Sequence, residues 1–107
     1  MQFAIDDATA GEAIVGALLN QRMIACAQTI GPLTSRYWWR GSINQAQEWL
    51  FVCKTTADRL DEVIEAIRVR HPYEVPEIVA FDITGALDAY TDWIAAETTT
   101  PPRAAGS

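Results

Sequence analysis

The chain has 107 residues, half of them hydrophobic and 21% charged, with a formal net charge of −6. Such a chain is one soluble domain that buries roughly two thirds of its unfolded surface. Its acidic balance argues against a nucleic-acid partner, which needs a basic stripe to meet phosphates, and is compatible with a cation-binding surface.

Residues 2–6 read as a short first strand. Thr9-x-x-Glu12 is a capping-box pattern that opens a helix running to about Gln21. Ile14, Ala17, Leu18 and Gln21 share one face, which Val15 and Leu19 widen. Met23 to Trp39 is long and β-rich, and Gly31-Pro32 interrupts it, which predicts a bulge or bend. Tyr37-Trp38-Trp39 puts aromatics on both faces of a strand, and exposed apolar area of that kind calls for a partner.

Residues 40–45 are expected to form the turn, and Glu48 to Lys54 the returning strand. Trp49, Phe51 and Cys53 point one way, and Leu50, Val52 and Lys54 the other. Thr55 or Thr56 can cap the next helix, with Asp58 in its first turn. Leu60, Val63, Ile64 and Ile67 give that helix a clear apolar face. Glu77 to Ile83 reads as a strand with Val79, Phe81 and Ile83 on one side, and Gly85 ends it. Tyr90, Trp93 and Ile94 stripe a short last helix. Residues 1–97 are thus the folded domain, and 98–107, without periodicity, read as a disordered tail.

Between the second helix and the last strand lies His71-Pro72-Tyr73-Glu74-Val75-Pro76-Glu77, which holds the only histidine. Its two prolines fix φ, remove two backbone donors and push His71 and Val75 out of the helical region. The segment is a stiff connector presenting an imidazole, a phenol and two carboxylates.

The order strand, helix, strand, strand, helix, strand, plus a terminal helix, is α+β. It is the split βαβ pattern of a ferredoxin-like sandwich, βαββαβ, with a long central hairpin. Met1 is followed by no secretory pattern, and no apolar stretch reaches the roughly 18 residues of a membrane span. The two cysteines are therefore expected as reduced thiols in the cytoplasm. A reversal near Gly41-Ser42 sets Cys53 opposite about residue 30, on the order of 13 Å along a strand from Cys26. That is too far for a disulfide, which needs Cα atoms within about 7 Å.

No nucleophile and base can be paired from sequence, and there is no Gly-rich phosphate loop, Cys-x-x-Cys or His-x-x-x-His, so no catalysis is expected. Imidazole and thiolate suit copper and zinc, and a carboxylate can complete the shell. His71 with Glu74 or Glu77, or with Cys26 across a subunit contact, is a candidate metal set.

The heptapeptide at 71–77 resembles the signature of the CutA family, the divalent-cation tolerance proteins. Other landmarks follow in order: Ala25-Cys26, Tyr37-Trp38-Trp39-Arg40-Gly41, Lys54-Thr55 and Asp92-Trp93-Ile94. The resemblance implies a homotrimer whose long hairpins pair across subunits, with Tyr37, Trp38, Trp39, Trp49 and Phe51 at the interface. It also implies copper or other divalent-cation binding and a response to metal ions, with no cofactor required. The architecture is similar to that of PII signalling proteins, which hold small ligands in clefts between subunits. Lys54, Tyr73, Glu77 and Trp93 are candidates to line a ligand cleft of that kind. That likeness suggests a regulatory or scaffold trimer as the alternative, with an unspecified small ligand.

The chain departs from the family pattern at several points. Arg40 and Ser42 stand where the family carries Glu and Lys, Gln28 where it carries Asn, and Gly31-Pro32 where it carries Pro-Gly. Asp6-Asp7-Ala8 and Gly85-Ala86-Leu87 replace its Thr-x-Pro and Gly-Asn-Pro. A guanidinium at residue 40 repels a cation that a carboxylate would attract.

Overall fold

A computed structural model of the chain describes residues 1–99. Strand β1 (Gln2–Ile5) leads to helix α1 (Ala8–Asn20), then to the long strands β2 (Cys26–Trp39) and β3 (Ser42–Lys54). A 3₁₀ turn (Ala57–Arg59) precedes α2 (Leu60–Arg70), followed by β4 (Ile78–Val79) and α3 (Asp88–Glu97). The strands form one antiparallel sheet in the order β2-β3-β1-β4, the ferredoxin-like arrangement expected from the periodicity.

The core lies on one face of that sheet. Phe3, Ile5, Phe51 and Cys53 meet Ile14, Val15 and Leu18 of α1 and Val63 and Ile67 of α2. The rings of Phe3 and Phe51, which sit opposite each other on β1 and β3, stack with centroids 5.2 Å apart. Burying side chains of this size contributes about 1.5–3 kcal/mol each, so this layer carries most of the stability.

Local chemistry explains the element ends, with some corrections to the sequence reading. Asp7, not Thr9, caps α1: its carboxylate accepts from the Ala10 amide at 3.1 Å. The residues α1 buries are Gly11, Ile14, Val15 and Leu18, and Gln21 is exposed at its end. Thr56 stands at the cap of the 3₁₀ turn without a side-chain bond, while the Thr55 hydroxyl donates to the Met23 carbonyl at 2.8 Å.

The hairpin turn has two residues rather than six. Arg40 and Gly41, with φ of 51° and 84°, make the left-handed pair that matches the twist of the flanking strands. The expected irregularity at Gly31-Pro32 is present as a register shift between Ile30 and Leu33. Gly31 has φ of 148°, and a Cβ there would lie 2.8 Å from Trp49 Cδ1. The Gly31-Pro32 peptide is cis.

Together the turn and the bulge move the hairpin register by three residues. Cys53 faces Ala27, not residue 30, and Cys26 faces Lys54. The two cysteines are free, but for a different reason from the one expected: they occupy adjacent rungs and point to opposite faces.

Strand β4 is Ile78–Val79, not 77–83. It pairs with Phe3 and Gln2, and there β1 runs out, so residues 80–84 pass beyond the partner that would have kept them in the ladder. Phe81 and Ile83 are left exposed on that segment, as is Val79 at the end of β4. Of the expected tail, Thr98 is buried and its hydroxyl donates to the Ile94 carbonyl at 2.8 Å. Residues 100–107 lie outside the described residues.

Candidate functional site

His71 ends α2: its amide donates to the Ile67 carbonyl at 2.9 Å, and Pro72 stops the helix there. The imidazole turns inward and is 7% exposed. Its Nε2 lies 2.8 Å from the carbonyl oxygen of Ala4, and its Nδ1 accepts the Tyr73 amide at 3.1 Å. A carbonyl only accepts, so Nε2 carries the proton; an amide only donates, so Nδ1 holds a lone pair. The ring is therefore the neutral Nε2-H tautomer with both nitrogens engaged. Phe3 and Tyr73 meet it edge-on, with centroids at 6.0 and 4.5 Å.

The rest of the segment reaches along the hairpin. The Tyr73 hydroxyl donates to Glu48 Oε2 at 2.8 Å, and Glu48 is 7% exposed. Burial, then the bond to Glu48 and its negative charge, raise the Tyr73 phenol well above its ordinary range. Glu74 pairs with Arg40 at 3.0 Å, with both side chains largely exposed. Arg40 also stands over the Trp39 ring, 5.4 Å from its centroid. Glu77 contributes its backbone carbonyl to the Ala4 amide at 3.4 Å, and its side chain is in solvent.

Within one chain the four candidate metal ligands therefore do not converge. His71 has no free lone pair, and Glu74 is held by a guanidinium. Cys26 lies two strands across and four residues along from Ala4, ~13 Å in the strand direction. Its Sγ sits 3.6 Å from the Tyr90 hydroxyl. Among the described residues no group of three or more His, Cys, Asp or Glu is placed to hold a metal ion. The sequence put His71, Glu74 and Glu77 on one short connector, but extended backbone and proline geometry turn them to different surroundings.

The proposed cleft residues also separate. Lys54 donates to Gln28 Oε1 at 3.1 Å and borders an open groove of ≈ 790 Å³. Thr55, Thr56, Phe81, Asp82 and Ile94 share that groove. Trp93 stacks on Tyr90 with centroids 5.7 Å apart, beside Cys26. Tyr73 belongs to the other end of the sheet: Glu48, its partner, is six residues from Lys54 along β3, ~20 Å. Within one chain Tyr73 and Lys54 cannot line one cleft.

At the hairpin, Tyr37, Trp38 and Trp39 are exposed, and Trp49 packs partly against the core. Phe51 does not belong with them: it is 0% exposed, stacked on Phe3, and so is a core residue rather than an interface residue. Two features escaped the sequence reading. Ile43 is exposed directly across from Trp38, and strand alternation around a two-residue turn would have found it. Glu48 as the Tyr73 acceptor had no local signal.

Residues 1–97 match the family model described as CutA1 divalent ion tolerance protein. The divalent-cation tolerance protein CutA of Thermus thermophilus is 40% identical over 81 residues, 76% of this chain and 79% of that one. A chloroplastic CutA 1 of rice is 32% identical over 85 residues, and the chain spans about half (48%) of its length. Among solved structures, CutA1 of Pyrococcus horikoshii superposes with a TM-score of 0.86 at 35% identity, covering 92% of this chain and 95% of that one. A CutA of Archaeoglobus fulgidus described as periplasmic gives 0.87 at 29% identity, covering 91% and 94%. No helix among the described residues is long and apolar enough to cross a membrane.

Proposed function

The chain belongs to the CutA1 divalent ion tolerance family, and we propose that it serves that role as a non-catalytic homotrimer assembled through its central hairpin. The observation that carries this reading is apolar surface left uncovered in one chain. Trp38 and Ile43 face each other across the hairpin at 72% and 64% exposure, and Phe81, on the segment that outruns β1, is 70% exposed. An open apolar edge of that kind is an aggregation hazard unless another chain covers it. Light scattering tests the assembly: a mass about three times 11.8 kDa is expected, and a stable monomer at micromolar concentration overturns it.

We do not centre the metal on the imidazole that ligand chemistry suggested, because both His71 nitrogens are used inside the fold. Copper or another divalent cation would meet groups on the surface of the assembled trimer. Cys26 is the half-exposed thiol among them, and thiolate is a ligand type that suits copper. We place the protein in the cytoplasm, a reducing compartment with which two unpaired cysteines are compatible. Copper titration followed by electron paramagnetic resonance tests the metal reading: nitrogen hyperfine structure from an imidazole would overturn it.

A second reading, a PII-like regulatory trimer that binds a small ligand, is favoured by the groove beside Lys54. Calorimetry with candidate metabolites on wild type and Lys54→Ala tests it.

A further inference from the structure

We propose that residues 71–77 are a strap that spans the β2 bulge and fixes the angle between the hairpin arm and the body of the fold. The proposal rests on the homotrimer reading only for its consequence, the presentation of the arm to other copies.

The register defines the two sides of the bulge. The last rung on the body side is Ile30 with Leu50, and Leu50 pairs in turn with Ala4. The first rung on the arm side is Leu33 with Glu48, and the arm continues to Arg40 at the turn. A bulge bends a strand and breaks the ladder locally, so the arm would pivot at Gly31-Pro32 if the ladder alone held it.

The strap is fastened on both sides. On the body side, His71 Nε2 donates to the Ala4 carbonyl at 2.8 Å, one rung past the last β1–β4 pair. On the arm side, Tyr73 donates to Glu48 at 2.8 Å, and Glu74 pairs with Arg40 near the tip at 3.0 Å. The amide of Tyr73 bonds back to His71 Nδ1, so the two fastenings share one rigid corner. Pro72 and Pro76 restrict the backbone around them. The Glu74–Arg40 pair is exposed and contributes little, whereas Glu48 and His71 are buried, so the Tyr73 and His71 bonds do the holding. An arm whose direction is fixed before association loses less freedom on assembly.

Tyr73→Phe removes the hydroxyl that crosses the bulge and keeps the ring. Hydrogen exchange in residues 33–48 is expected to accelerate at least tenfold, with α2 unchanged as the control for folding. Glu48→Gln keeps an acceptor oxygen for Tyr73 and is expected to exchange within threefold of wild type. The trimer dissociation constant of Tyr73→Phe is expected to rise at least tenfold. Arm exchange at the wild-type rate in Tyr73→Phe overturns the strap, whatever the oligomeric state. A monomeric wild type overturns the homotrimer reading, and the same exchange comparison then decides the strap alone. If Tyr73→Phe does not fold, Glu48→Leu, which removes the acceptor instead, takes its place with the same expected acceleration; wild-type exchange in it overturns the strap.

Discussion

His71 and Ala4 are 67 residues apart in sequence and are joined by a 2.8 Å hydrogen bond from imidazole to backbone carbonyl. The bond takes up a carbonyl at the point where the β1–β4 ladder ends. A side chain that reads as a metal ligand in a motif is, in the fold, the cap of a sheet.

His71→Ala is therefore expected to weaken the fold rather than a metal site. It leaves the Ala4 carbonyl and the Tyr73 amide without partners and removes two edge-on ring contacts. The cost is about 2–4 kcal/mol, read by urea unfolding at fixed protein concentration. Copper affinity is expected to stay within threefold of wild type; a loss of a hundredfold or more would return the imidazole to the metal.

The two thiols are expected to behave differently. Cys26 is half-exposed and Cys53 is buried, so a thiol reagent should label the first in the native protein and the second only on unfolding. Burial pushes the Cys53 thiol from 9.0 up to about 11, partly offset by the nearby Met1 ammonium. The folded state thus holds a proton that the unfolded state releases first, so stability is full below pH 9 and falls as the pH rises towards 11. The loss is about 2–3 kcal/mol, and Cys53→Ala should flatten that part of the stability profile. A wild-type profile no steeper than the variant's would refute it.

Trp38→Ala and Phe51→Ala should separate assembly from folding. Phe51 is enclosed in its own chain, so its truncation costs about 3–5 kcal/mol and lowers the melting temperature at every concentration. Trp38 is exposed in its own chain, so its truncation should raise the trimer dissociation constant at least tenfold, about 1.4 kcal/mol, and leave the helices' hydrogen exchange unchanged. Equal concentration dependence in the two variants would count against the hairpin interface.

Gly31→Ala should be costly although the residue is exposed. Its φ of 148° disfavours any Cβ, and that Cβ would press on Trp49. A loss of about 1–3 kcal/mol is expected, measured by thermal unfolding; a neutral substitution would show that the bulge relaxes freely.

Much of this protein is legible in the sequence because the signals are local. The apolar face of Leu60, Val63, Ile64 and Ile67 follows from helical period. The irregularity at Gly31-Pro32 follows from backbone chemistry, and the order of elements implies the sheet topology. The remaining features depend on where distant backbone lies. The hairpin register turned on a two-residue turn and a bulge, which together moved Cys53 from residue 30 to Ala27. Strand β4 ends at Val79, opposite the first residue of β1, so its length depends on its partner strand as well as on its own sequence. The partners of His71 were undetermined for the same reason: a carbonyl presents no side chain to read, and folding alone brought that of Ala4 to the imidazole.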